Sequence, residues 1–168
     1  MLAAWFILAA AAIESTPDLG TSQGQCRPNE TGAAFLVEVI GFKDRRGRIK
    51  LELYPANDRD FLADDNVLLN AGKAFARVDM AVPRSGPVEL CIRAPGPGLY
   101  ALSLLHDRNG DRKFNLSGDG VGFPGDPKLG WSKPRAAVAA ARVGTMPRRL
   151  TITLQYRRGL FSFGPEKP

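Results

Sequence analysis

The sequence predicts an all-β fold, a single antiparallel β-sandwich of about seven short strands. Three observations lead to this prediction. Runs of alternating apolar and polar residues recur along the chain, 18 glycines and 13 prolines supply many turns among its 168 residues, and the helical alternatives are short. With 44% hydrophobic and 24% charged residues, the composition excludes a disordered, collagen-like or coiled-coil chain. The length fits one domain with one core.

Each strand is recognised by a period of two, with apolar side chains on one face and mostly polar ones on the other. The apolar positions of five such runs are Phe35, Val37 and Val39; Ile49, Leu51 and Leu53; Ala76, Val78, Met80 and Val82; Val88, Leu90 and Ile92; and Leu150, Ile152, Leu154 and Tyr156. The run 99–105 is apolar on both faces except at Ser103, which predicts a central strand. The turn over 44–47 joins the first two strands, and its Gly47 is suited to a positive φ. Short helical pieces are predicted only over 58–64 and 136–143.

Residues 1–13 are predicted to be a signal peptide. The stretch from Leu2 to Ile13 carries no charge and passes through small residues, as a secretory leader does, and it is shorter than the ~20 apolar residues that span a bilayer. A mis-assigned start or a buried strand is the alternative. Residues 14–33 then form a flexible polar linker, 34–158 the β-sandwich domain and 159–168 a C-terminal tail. We expect no transmembrane segment in the mature chain.

Two cysteines in an exported chain predict one disulfide, between Cys26 and Cys91. Cys91 alternates with Leu90 and Ile92 and therefore points away from the core. Cys26 lies in the polar segment that we expect to cross that outer face. Two free thiols are the alternative. Because residues 1–13 have the features of a signal peptide, we expect the protein to be periplasmic or secreted.

Oxygen-bearing groups alternate in the segment 107–115, with the spacing that a Ca²⁺ loop requires. The positions that would supply the ligands are Asp107, Asn109, Asp111, Lys113 through its backbone carbonyl, and Asn115. An EF-hand loop has glycine at its sixth position and glutamate at its twelfth, where this chain has Arg112 and Gly118, so we expect any Ca²⁺ binding to be weak. The alternative is a turn in which the Asp and Asn side chains bond the backbone and Gly110 takes a positive φ.

His106 is the only histidine, so a hydrolytic centre would have to be built around it. The adjacent Asp107 would point to the opposite face of a strand, away from the imidazole. The chain has no phosphate-binding glycine loop, no nucleophile-elbow motif and no zinc-protease helix motif. We therefore expect a binding or structural role for the protein, and a histidine that bonds a loop.

The formal charge of +6 favours a partner that is anionic, such as a component of the cell envelope. Arg45, Arg46 and Arg48 cluster at one turn and are the predicted surface-binding residues. Charges that protect strand edges from aggregation are the alternative. Aromatic residues do not interleave with these cations, which disfavours nucleic acid as the partner.

Four segments resemble a known bacterial family. They are APGPGLY over 94–100, HDRNGDRKFN over 106–115, GVGFP over 120–124 and GWS over 130–132. The first is similar to the entry into a strand of transthyretin-like sandwiches, and together they resemble the DUF2141 family of exported bacterial proteins of unknown function, from about Phe35 to Tyr156. The resemblance implies an immunoglobulin- or transthyretin-like sandwich and an exported setting, without implying an activity.

These observations predict an exported, non-enzymatic β-sandwich that serves as a binding or structural module of the bacterial cell envelope. Two alternatives stay open. One is a periplasmic hydrolase, and the other is an adhesion or carbohydrate-binding-like module weakly stabilised by Ca²⁺.

Overall fold

Two β-sheets pack against each other in the computed structural model, which describes residues 12–130, 132–160 and 162–166. The predicted signal peptide, residues 1–13, lies outside these ranges apart from its last two residues, and so does Trp131 of the GWS segment. The described strands are β1 (Ala34–Ile40), β2 (Arg48–Pro55), β3 (Ala76–Ala81), β4 (Val88–Arg93), β5 (Gly98–Asp107), β6 (Gly120–Gly122), β7 (Ala140–Val143), β8 (Arg148–Thr153), β9 (Gln155–Arg157) and β10 (Phe163–Pro165). The described helical elements are α1 (Thr21–Gly24), α2 (Asp65–Asn70) and a 3₁₀ turn at Ala136–Val138. The prediction of an all-β sandwich is confirmed.

The smaller sheet has the order β4-β1-β8, and the larger has the order β10-β9-β6-β5-β2-β3, with β7 added beside β5. The strands pair antiparallel except β1 and β8, which run parallel. This pair departs from the wholly antiparallel arrangement that we expected, because alternation alone does not distinguish the two directions. The last predicted strand is also divided. Leu154 lies between β8 and β9, where the chain passes from the smaller sheet to the larger.

The facing sides of the two sheets form the main core. Phe35 and Val37 of β1 and Ile152 of β8 meet Leu51 of β2 and Leu102 of β5, and all five side chains are fully buried. Each contributes ~1.5–3 kcal/mol through removal of its apolar surface from water. The alternation in the sequence predicted these inward-facing positions. Gly47 has φ 69°, as predicted, and a side chain there would collide with the carbonyl of Asp107.

The segment 14–33 packs against the sandwich, in contrast to the flexible linker that we expected. A Cβ atom at Gly24 of α1 would lie 2.6 Å from the carbonyl oxygen of Arg77 in β3, so only glycine permits this approach. Gln25 forms an isolated β-bridge with Ile92. The disulfide between Cys26 and Cys91 fastens the segment to β4, with Cα atoms 5.9 Å apart. The predicted tail likewise contributes β10 to the edge of the larger sheet.

A second apolar cluster covers part of the outer face of the larger sheet. Its buried members are Tyr54, Phe61, Leu68, Phe75, Ala101, Phe123, Ala136 and Ala139. The segments 56–75 and 123–139 bring most of these side chains onto β2 and β5. The run 99–105 is therefore apolar on both faces because both faces are covered. In the described ranges no helix is long and apolar enough to cross a membrane.

Candidate functional site

The loop between β5 and β6 is closed by two buried carboxylates. Asp107 accepts hydrogen bonds from the backbone N–H groups of Gly110, at 2.8 Å, and Arg112, at 2.7 Å. Asp119 accepts from those of Arg108, at 2.9 Å, and Asn115, at 2.8 Å. Each carboxylate is 2% exposed. All four carboxylate oxygens therefore serve the loop's own backbone.

The side chains of the other three predicted Ca²⁺ ligands bond within the loop as well. Asn109 accepts from the backbone N–H of Asp111, Asp111 accepts from that of Lys113, and Asn115 accepts from that of Ser117. Gly110 has φ 74°. These are the contacts of the turn alternative, and no group of three or more His, Cys, Asp or Glu residues among those described is arranged to hold a metal ion. Ca²⁺ binding by this loop stays a prediction.

His106 is fully buried and uses both ring nitrogens inside the protein. Its Nε2 lies 2.8 Å from the carbonyl oxygen of Arg46, and its Nδ1 lies 2.7 Å from the hydroxyl of Tyr156. Since a carbonyl only accepts, Nε2 carries the proton and the Tyr156 hydroxyl donates to Nδ1. The backbone N–H of Lys43 donates to the same hydroxyl at 3.1 Å. The histidine thus joins β5 to β9 and to the loop before β2.

Burial determines the ionisation of this pair. It lowers the pKa of His106 below its ordinary value of 6.5, and it raises the pKa of Tyr156 to about 12. The neighbouring Asp107 points to the other face, where it bonds the loop. Both ring nitrogens therefore bond groups of the protein, and neither bonds a carboxylate.

The three arginines predicted to bind a surface make different contacts within the protein, and binding by them stays a prediction. Arg45 donates to the carbonyl of Gly86 at 3.1 Å, and its guanidinium lies 4.8 Å from the centre of the Phe42 ring. Arg46 is exposed, and its backbone carbonyl accepts from His106. Arg48 enters β2 and pairs with Asp79 at 2.9 Å. The predicted cluster is divided because the turn ends before Arg48, which lies on the outer face of the larger sheet.

A cavity of about 440 Å³ lies on that outer face, and we call it the outer-face cavity. Its floor is formed by side chains of β2, β5, β6 and β9. The residues that line it are Lys50, Glu52, Leu62, Ser103, Leu105, Phe114, Leu116, Val121, Phe123, Leu129, Gly130, Ser132, Lys133, Pro134, Arg157, Leu160, Ser162 and Phe163. Apolar side chains predominate, with a few charged groups among them. A concave apolar space with a few polar groups is the usual form of a ligand site.

The walls of this cavity contain apolar side chains that remain open to solvent. Leu62, Phe114 and Leu160 are 36%, 48% and 69% exposed. Leu62 also has φ 58°, a left-handed conformation that a non-glycine residue adopts at a cost. Phe114 and Leu116 extend from an otherwise polar loop, and this was the one sign of the cavity in the sequence. The remaining lining residues come from distant segments, which the sequence analysis did not bring together.

A buried charged network borders the cavity. Glu52 accepts from Arg77 Nε at 2.8 Å and from the hydroxyl of Tyr54 at 2.8 Å, and Lys50 Nζ lies 3.2 Å from the same carboxylate. Arg77 also donates to Asp65 at 3.0 Å. Burial and the Glu52 charge hold the pKa of Tyr54 well above its usual range, so its hydroxyl stays protonated as a donor.

A smaller cavity of about 190 Å³ adjoins this network, and we call it the polar cavity. It is lined by Ser15, Thr16, Pro17, Arg48, Lys50, Asp65, Arg77, Asp79, Asp107 and Arg112. Thr16 and Pro17 are placed there by their carbonyls, which accept from Arg77 at 3.2 Å. Lys50 lines both cavities.

Comparisons with curated proteins and with solved structures give no match. A family model does match, described as an uncharacterized protein conserved in bacteria (DUF2141), over residues 37–151. That range extends from β1 into β8 and contains the loop closed by Asp107 and Asp119, as well as most of the residues that line the outer-face cavity. It covers more than half of the chain and agrees with the resemblance carried by the 106–115 segment. The chain belongs to the DUF2141 family of bacterial proteins.

Proposed function

We propose that this protein is an exported, non-enzymatic binding module of the bacterial cell envelope, and that its ligand occupies the outer-face cavity. The observation that carries the proposal is the cavity itself. It has about 440 Å³ of space on a sheet floor, with predominantly apolar walls and a few charged groups. Sites for small molecules have this size and composition.

The charges that line the cavity favour an anionic envelope component as the ligand. Lys50, Lys133 and Arg157 contribute three cations, and Glu52 contributes one carboxylate. The carboxylate already accepts from Arg77 and Tyr54. A ligand with a negative charge therefore meets an excess of positive charge.

Two features support export. The disulfide between Cys26 and Cys91 is of a kind that persists in oxidising compartments. The uncharged stretch from Leu2 to Ile13 has the length of the apolar region of a secretory leader.

The surroundings of His106 support a role without catalysis. A hydrolytic centre built on His106 would need a free ring nitrogen that reaches a substrate. Both nitrogens of this single histidine are bonded within the protein, to Tyr156 and to the Arg46 carbonyl. The motifs that would supply another catalytic centre are missing from the sequence.

Binding of the neutral fluorophore N-phenylnaphthylamine tests the proposal. We expect its fluorescence to rise on binding to the wild type, and we expect Phe114→Glu to weaken binding about tenfold or more, because a carboxylate then faces the apolar probe. Phe114 is 48% exposed, so the fold tolerates the change. Met146→Glu is the matched control, since Met146 is 71% exposed and lies outside the cavity. A wild type that does not bind the probe, or a Phe114→Glu variant that binds it equally well, would contradict the proposal.

A further inference from the structure

We propose that the ligand is an anionic, single-chain amphiphile. Its hydrocarbon chain lies in the outer-face cavity, and its head group binds Lys50, where this cavity meets the polar cavity. This inference rests on the proposed function and adds the chemical class of the ligand.

The outer face of the larger sheet changes from charged to apolar at Lys50. In β2, Lys50 is in register with Asp79 of β3 on one side and with Leu105 of β5 on the other. Leu105 is in register with Val121 of β6, which continues the apolar side. Lys50 therefore lies on the boundary between a charged surface and an apolar one. An amphiphile has the same division within a single molecule.

Lys50 keeps hydrogen-bonding capacity for a ligand. The ion pair that it forms within the described part of the chain is with Glu52, at 3.2 Å, and an ammonium group has three donors. Glu52 is already held by Arg77 and Tyr54 and does not depend on Lys50. The Lys50 side chain is 19% exposed. Because the Lys50 side chain is largely sheltered from water, its electrostatic attraction for an anion is stronger than that of an exposed lysine.

The polar cavity presents carboxylates that are already bonded. Asp65 accepts from Arg77, and Asp79 accepts from Arg48. Asp107 accepts from two backbone N–H groups. Over the two cavities, six cationic side chains accompany four carboxylates. Because the carboxylates already accept hydrogen bonds and the cations outnumber them, the two cavities can bind an anion and not a cation.

The volume of the outer-face cavity limits the length of the ligand's hydrocarbon chain. At about 30 Å³ for each water, the outer-face cavity holds roughly fifteen water molecules. A saturated chain of roughly ten carbons therefore fits within this space, and decanoate provides such a chain with one carboxylate.

Calorimetric titrations with decanoate, decanol and acetate at neutral pH test the inference. We expect the wild type to bind decanoate about tenfold more tightly than decanol, because the carboxylate gains a charge-assisted hydrogen bond. Acetate should bind far more weakly than either, because it lacks the chain. Lys50→Gln should reduce decanoate binding about tenfold and leave decanol binding unchanged, and Lys50→Arg should retain decanoate binding. Lys43→Gln removes an exposed lysine that lines neither cavity and should change nothing.

The outcomes separate the two proposals. Equal binding of decanoate and decanol, with the fluorophore still bound, would overturn the head-group assignment and leave the proposed function standing. Acetate binding as tight as that of decanoate would overturn the amphiphile, since the site would then serve a free anion. Unchanged decanoate binding in Lys50→Gln would overturn the role of Lys50. If neither amphiphile nor the fluorophore binds, the proposed function falls with this inference. If Lys50→Gln fails to fold, the wild-type comparison of decanoate with decanol still decides.

Discussion

The hydroxyl of Tyr156 lies 2.7 Å from Nδ1 of His106 and joins the short strand β9 to the long central strand β5. The two strands are not neighbours, because β6 lies between them. Gly120 of β6 makes the contact possible, since a side chain at that position would collide with the tyrosine ring. The polar pair therefore fixes one end of the larger sheet, whose outer face carries the cavity.

Replacing Tyr156 by phenylalanine tests the energetic value of this pair. The change leaves the His106 acceptor and the Lys43 N–H without their partner, and an unsatisfied buried polar group costs ~1–3 kcal/mol. We expect that loss in the free energy of unfolding measured with urea. Tyr100→Phe removes a partly buried hydrogen bond to the Gly96 carbonyl and should cost about 1 kcal/mol or less. Equal and small effects in both variants would show that the pair contributes little.

The single histidine gives a direct measurement of protonation in the folded state. Burial lowers the His106 pKa, so the unfolded chain binds more protons than the folded one between the folded pKa and 6.5. The contribution of the neutral His106 to the free energy of unfolding should therefore be fully present above about pH 6.5. It should be lost as the pH falls through that window. NMR titration of the imidazole should give a folded pKa below 6.5. A value above 6.5 would contradict the assigned neutral tautomer.

Asp107 should stabilise the 107–119 loop whether or not Ca²⁺ is present. Its carboxylate accepts two backbone N–H bonds at 2% exposure, so we expect Asp107→Ala to cost ~2–3 kcal/mol. Asp111→Ala, at an exposed position in the same loop, should cost less. The melting temperature in millimolar Ca²⁺ distinguishes the two alternatives for this loop, and no change would support the turn. A Ca²⁺-dependent rise that Asp107→Ala abolishes would support the metal site predicted from the spacing.

Export and the disulfide lead to a joint prediction for protein recovered from cells. The mature N-terminus should lie near Ile13 to Gly20, after the small residues of the leader. Peptide mapping without reductant should find Cys26 joined to Cys91. Replacing both cysteines by serine should lower stability by up to about 4 kcal/mol, because the bridge closes a long loop. An intact Met1, or two free thiols in periplasmic material, would contradict the export reading.

The sequence predicted the inner faces of the strands because side-chain alternation follows directly from the geometry of a strand. Ile49 and Leu51 could therefore be assigned to the core without a structure. The division at Leu154 could not be predicted, because the apolar positions continue through it without a change of period. The disulfide was predicted because Cys91 faces outward and the only other cysteine lies in a polar segment.

The outer-face cavity could not be predicted, because its walls are brought together only by the tertiary fold. Leu62, Phe114, Leu129 and Leu160 come from four different connections between elements. Read along the chain, they stand alone or in short apolar groups within polar or irregular segments, as apolar residues do on any protein surface. The packing of residues 14–33 was missed for a related reason. Gly24 resembles a linker residue in sequence, although its lack of a side chain is what allows close contact with Arg77.

The position of a bound chain tests the central claim most directly. In methyl NMR of the protein with decanoate, we expect intermolecular NOEs from the chain protons to the methyl groups of Leu105, Val121 and Leu129, which line the cavity. Val67 and Met146, exposed elsewhere on the surface, should show none. NOEs confined to residues outside the cavity, or absent at saturating decanoate, would contradict the claim that this cavity is the ligand site.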